Sequence, residues 1–189
     1  MRMMAFVLML FGGSCFSNIA AGAPAVYTGY DVSFAKAAGA DETLPANQDF
    51  ILPDVIITRG MTRGIFNIAQ ESAFVDNSSP AGTAWAFESN NPMATLSATN
   101  WENLVFEDWQ TALGGAGGLA TNILAGNAVL HLVDHDIYLD IRFTEWAVGA
   151  GTGGSFAYER SALIPEPSGL FLVSSAMLYT ASLRRRQSR

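Results

Sequence analysis

Thiols, imidazoles and cations are scarce in this chain, and each shortage removes a class of function. Cys15 is the only cysteine and lies in an N-terminal segment of export character, so the domain that follows has no disulfide and must be held by packing. His131 and His135 are the only histidines, and no Gly-x-Ser-x-Gly elbow occurs, which leaves nucleophilic triads poorly supplied. Between Val26 and Ile164 sixteen carboxylates face five cations (Lys36, Arg59, Arg63, Arg142 and Arg160), a net of −11. Such a surface repels nucleic acid and anionic lipid, so no nucleic-acid partner is expected. The 189 residues leave room for one domain once the two ends are set aside.

Both ends carry segments of a different character. Arg2 precedes a compact apolar stretch, Met4 to Phe11, and then small residues from Gly12 to Ala23. That order is expected of a secretory signal peptide over residues 1–25, removed by signal peptidase. Ala21-Gly22-Ala23 fits the small-x-small cleavage pattern, but Pro24 would follow that cut, so cleavage after Ala21, Ala23 or Ala25 stays open. Lipidation at Cys15 is the competing reading, weakened by Gly12 standing where a leucine is wanted.

At the other end, Pro165-Glu166-Pro167 precedes sixteen uncharged residues, 168–183, and then Arg184-Arg185-Arg186. As a transmembrane helix that run would rise roughly 24 Å against a hydrocarbon core of about 30 Å, a short span that snorkelling arginines extend. The arginines should stay cytoplasmic, and the prolines should hold an extended site just outside the membrane. A buried C-terminal helix of a soluble protein is the alternative, at odds with a helix apolar all round that ends in three arginines.

These three parts in this order resemble the PEP-CTERM sorting signal of Gram-negative bacteria, over about 25 of 189 residues. The resemblance implies a tail spanning 162–189, an inner-membrane-tethered precursor with its C-terminus cytoplasmic, and processing near Pro165, Glu166 and Pro167 by an exosortase. It further implies delivery to the cell surface or the exopolysaccharide matrix. Ile65 to Glu71 and Asp136 to Asp140 also look similar to the domain accompanying this signal in other exported proteins, a likeness that supports the domain boundary and nothing chemical.

Residues 26–161 alternate with a period of two. Strands are expected at Tyr30 to Phe34, Gly64 to Ile68, Ala84 to Phe87, Thr95 to Trp101 and Ser155 to Ser161, while Phe50 to Leu52 and Val55 to Thr58, flanking Pro53-Asp54, read as two short strands or as one strand broken at its edge. Ala128 to Trp146 reads as a hairpin turning at Asp134-His135-Asp136, with one strongly buried face. A helix is expected near Trp101 to Leu113, while Gly114 to Gly118 and Gly149 to Gly154 read as loops. The whole suggests a mainly β, antiparallel sandwich or jelly-roll-like domain.

Candidate chemistry is thin. Asp134, His135 and Asp136 could ligate a metal, but a solvated hairpin turn is the preferred reading, and Tyr138 breaks the EF-hand pattern. His131 sits mid-strand between apolar neighbours and reads as a sheet residue. Asp41, Glu42, Asp49 and Asp54 cluster in sequence and could hold calcium, the one cofactor considered. Glu107 with Asp108, or Asp140 with Glu145, could supply a glycosidase pair. Trp85, Trp101, Trp109 and Trp146, with Tyr27 and Tyr30, could stack on sugar rings, although aromatics on strands are core residues first. The expectation is therefore a non-enzymatic exported protein, structural or binding. A carbohydrate-binding module acting on matrix polysaccharide is the alternative, and a glycan-active enzyme is the least supported.

Overall fold

A computed structural model describes residues 23–149 and 151–163. The expected signal-peptide core, the Pro-Glu-Pro motif, the apolar run and the arginine cluster lie outside the described residues. Among the described residues no helix is long and apolar enough to cross a membrane.

The architecture is mainly β, with antiparallel sheets and few helices. Among the described residues nine strands form in chain order: β1 (Ala25–Tyr27), β2 (Val32–Lys36), β3 (Asp49–Leu52), β4 (Val55–Arg59), β5 (Ile65–Asn67), β6 (Thr83–Phe87), β7 (Ala128–Leu132), β8 (Ile137–Trp146) and β9 (Phe156–Arg160). A six-stranded sheet runs β2-β9-β8-β7-β6, and β3-β4-β5 make a smaller sheet. All pairings are antiparallel but one: β1 lies parallel to β8, with Ala25 opposite Ile137. The exception follows from length. β8 has ten residues, and one of its edges is shared end to end by β1, opposite 137–139, and β9, opposite 141–146.

Period-two alternation sets the faces. Leu130, Leu132, Leu139, Ile141 and Phe143 point from the large sheet into the main core, where Ile51, Val55, Ile57 and Ile65 of the small sheet meet them. A bulge between Phe143 and Glu145 shifts the register of β8. Without it Glu145 would point inward; with it Trp146 joins the core and Glu145 stays exposed.

The expected single buried face of the β7–β8 hairpin is corrected to two. Val129 and Tyr138, on the opposite face, pack with Ala86, Ala98 and Leu104 in a second cluster. Its cover comes from residues expected as a strand: Thr95 to Trp101 instead leads into a 3-10 helix, Ala98–Asn103, entered through Ser97, whose Oγ accepts from Thr99 N–H. The helix expected near Trp101 to Leu113 shrinks to α1 (Trp109–Ala112), because Glu107 pairs with Trp85 as an isolated strand bridge.

Gly114 to Gly118, expected as a loop, opens α2 (Gly115–Asn122) instead. Glycine disfavours helix intrinsically, but here close packing decides. A Cβ at Gly118 would collide with the Leu113 carbonyl oxygen, the same oxygen that accepts from Asn122 Nδ2 at 2.9 Å. Gly114, at φ 85°, turns the chain between the two helices.

Candidate functional site

The sequence-selected residues are scattered by the fold, and most are engaged in holding it. Asp134, His135 and Asp136 do form the β7–β8 turn, with Asp136 in the left-handed region at φ 50°. His135 points away from its neighbours: its Nε2 lies 2.8 Å from Oδ2 of Asp54, at the tip of the β3–β4 hairpin. That hydrogen bond holds the Asp54 carboxyl below its usual range. His131 stacks flat on Tyr138, centroids 4.2 Å apart and 2° from parallel. Its Nε2 lies 3.5 Å from Asp136 Oδ1 and makes no hydrogen bond. Burial lowers its pKa, against the pull of Asp136.

The acidic group at Asp41, Glu42, Asp49 and Asp54 comes apart. Asp41 accepts from the N–H and hydroxyl of Thr43 at 2.9 and 2.7 Å. Asp49 is buried and bidentate to Arg160 of β9, at 2.7 and 2.8 Å, with the Tyr158 hydroxyl donating to it at 2.7 Å. Burial and the Asp49 carboxylate raise the Tyr158 pKa well above the ordinary phenol value. Among the described residues no three His, Cys, Asp or Glu side chains converge as a metal-binding group.

In both carboxylate pairs each member has its own partners. Asp140 is buried and accepts two backbone N–H groups, from Ala98 at 2.6 Å and Gly29 at 3.2 Å, whereas Glu145 is exposed and takes the Ser155 hydroxyl. Glu107 accepts from Asn90 while Asp108 accepts from the Ser79 N–H. Of the tryptophans, Trp85, Trp109 and Trp146 are core residues. Trp101 is half-buried, stacked on Tyr138 at 4.6 Å, and Tyr30 is covered by the Arg142 guanidinium at 4.4 Å.

A concavity among the described residues lies elsewhere, between the β4–β5 loop, α2 and the end of β8, with a volume of about 410 Å³. Phe74, Leu119 and Trp146 line its apolar side, and Arg59, Arg63 and Gln110 its polar side. Arg59 is 3% exposed and has no carboxylate partner among the described residues. Its Nε donates to Arg63 O at 2.9 Å, Nη1 to Ser155 O at 2.8 Å and Nη2 to Ala147 O at 2.9 Å. The guanidinium lies 3.6 Å from the Trp146 ring centroid. Burial depresses its pKa to about 10, still fully charged at neutral pH.

The shape of this site depends on two backbone features. Arg63 is held at φ 71°, a costly conformation for a residue with a side chain. Next to it, Gly64 leaves room for Phe74 and Trp109, whose rings a Cβ would strike. Sequence reasoning missed this cavity. A lone arginine at a strand end carries no spacing signal, and α2, which forms one wall, looked like a flexible glycine run.

Comparison with known proteins gives no family: no family model, no curated protein and no solved structure matches the chain.

Proposed function

We propose that this chain is an exported, non-enzymatic β-sandwich protein, sorted by an exosortase to the cell surface or exopolysaccharide matrix of a Gram-negative bacterium. The observation that carries this reading is the order Pro165-Glu166-Pro167, uncharged run 168–183, Arg184-Arg185-Arg186. The extent of the folded unit supports it. β9 ends at Arg160 and Leu163 packs against the main core, so the Pro-Glu-Pro motif begins two residues beyond a described core contact. The other end supports it too. Ala25 already belongs to β1, its N–H donating to Asp136 O at 3.0 Å, so cleavage after Ala21 or Ala23 keeps that strand whole.

The test replaces Pro165, Glu166 and Pro167 with alanine and follows processing in the native host. Unprocessed protein accumulating in the inner membrane is expected; unchanged processing and location would overturn the reading. Mass spectrometry of the mature chain reads both cut sites directly. The alternative, a carbohydrate-binding module, now rests on Trp101 and Tyr30, because the other three tryptophans are in the core. A glycan array probed with the mature protein, with and without calcium, separates the two.

A further inference from the structure

We propose that the cavity bounded by Arg59, Gln110 and α2 binds a small organic carboxylate with an apolar body. The inference is independent of how the protein is sorted. It begins from counting donors and acceptors. Arg59 has five N–H groups, and three go to backbone carbonyls. Carbonyl dipoles solvate the guanidinium without cancelling its charge, so an unneutralised cation stands in the wall of a low-dielectric cleft.

Gln110 adds a second polar side chain to the lining. The residue is 5% exposed, and its Oε1 accepts from the Asn77 N–H at 2.8 Å. Its Nε2 has no hydrogen-bond partner among the described residues, and the side chain lines the cavity. The one carboxylate in the lining, Asp76, is already taken by Arg63 Nη1 at 2.6 Å. What the site lacks is therefore negative charge and acceptor oxygens.

The rest of the lining decides what carries them. Phe74, Leu119 and Trp146 offer no polar partner, so the hydroxyls of a sugar that face this wall would be desolvated without replacement. A bare inorganic anion would leave that apolar wall wet. A carboxylate attached to an aromatic or short aliphatic body satisfies both sides, and about 410 Å³ lies within the range of small-ligand pockets. The strained Arg63 is also accounted for: its carbonyl fixes Arg59 Nε, which leaves the remaining guanidinium donors for the ligand.

The test is calorimetric titration of the purified full-length chain with 3-phenylpropionate, 3-phenylpropionamide and glucuronate. Saturable binding of 3-phenylpropionate is expected, at least about tenfold tighter than the amide, as a charge-assisted contact requires. Glucuronate should bind more weakly than 3-phenylpropionate. Arg59→Met should abolish binding but also loosens two loops, so it is not the deciding variant. Ala120→Trp and Ala116→Trp, at exposed positions on the rim, should each block the cavity and leave the thermal midpoint unchanged. No saturation by 3-phenylpropionate, equal affinity for acid and amide, a preference for glucuronate, or undiminished binding in both rim variants would overturn the proposal.

Discussion

Asp140 and Ser161 hold each other at the point where β1 and β9 meet along one edge of β8. Ser161 N–H donates to Asp140 O at 2.9 Å, and Asp140 N–H donates to Ser161 Oγ at 3.1 Å. The Ser161 hydroxyl passes its own proton on to Tyr27 O at 2.8 Å, so one buried side chain ties three strands. The Asp140 carboxylate, on the same node, fastens Gly29 and Ala98 to the sheet. A carboxylate that accepts two N–H groups in this way holds the fold together at this junction.

Ser161→Ala leaves the Asp140 N–H and the Tyr27 carbonyl without their partner in a buried place. Stability should fall by about 1–3 kcal/mol, the usual cost of stranded buried groups. Urea denaturation reads this directly. A change within error of zero would mean that the backbone ladder alone holds the junction.

Asp49, Arg160 and Tyr158 join the small sheet to the large one through a buried ion pair. Removing one charge strands the other, so Asp49→Leu should cost about 3–5 kcal/mol. The double variant Asp49→Leu with Arg160→Met should recover most of that loss, because the cost is the orphaned cation rather than the missing attraction. A double-mutant cycle in which the two losses simply add would contradict this account.

Strong alternation made most of the strands legible. The β7–β8 hairpin, with its turn at Asp134-His135-Asp136, follows directly from it, whereas at Pro53-Asp54 alternation left one broken strand or two short ones open, and the chain forms the β3–β4 hairpin. What alternation misses is anything set by contacts distant in sequence. The parallel pairing of β1 depends on a free length of β8 more than 100 residues away, and α2 depends on Gly118 fitting under a carbonyl. The carboxylates that looked like a calcium loop have separate partners: Asp49, at the start of β3, binds Arg160 of β9, and Asp54 binds His135. The candidate cavity is the extreme case, since its polar residues lie in three different segments. Nothing in the comparisons bears on the two terminal signals, which remain readings of the sequence.

His131 is partly buried beside Tyr138 and Phe106, and desolvation lowers its pKa from the ordinary 6.5, with Asp136 pulling the other way. The sign follows from which state takes up the proton. Below 6.5 the unfolded chain binds a proton that the folded chain resists, so stability falls as pH drops from about 7 to 5. His131→Phe keeps the stack and removes the titration. Its stability should therefore vary less than wild type over that range, as measured by thermal midpoints. Contributions from Asp54, held below 3.8 by its hydrogen bond from His135, enter only at lower pH. Parallel pH profiles for wild type and variant would exclude this role for His131.

Lys36 ends β2 with its side chain 1% exposed and Nζ without a hydrogen-bond partner among the described residues. Desolvation lowers its pKa from 10.5, opposed by the nearby Glu42 carboxylate. An ammonium in that position costs more to bury than it recovers, and its aliphatic stem already fills the space. Lys36→Met should keep the packing and raise stability at pH 7 by about 1–3 kcal/mol. Because the folded-state pKa is depressed, wild type gains stability as pH rises toward 10.5, where the unfolded chain also loses its proton. The advantage of the methionine variant should therefore shrink as pH rises through the depressed folded-state pKa toward 10.5. Tyr158 titrates in both proteins and cancels from the difference. A methionine variant less stable than wild type at pH 7 would show that the amine finds compensation from Glu42 that outweighs its burial.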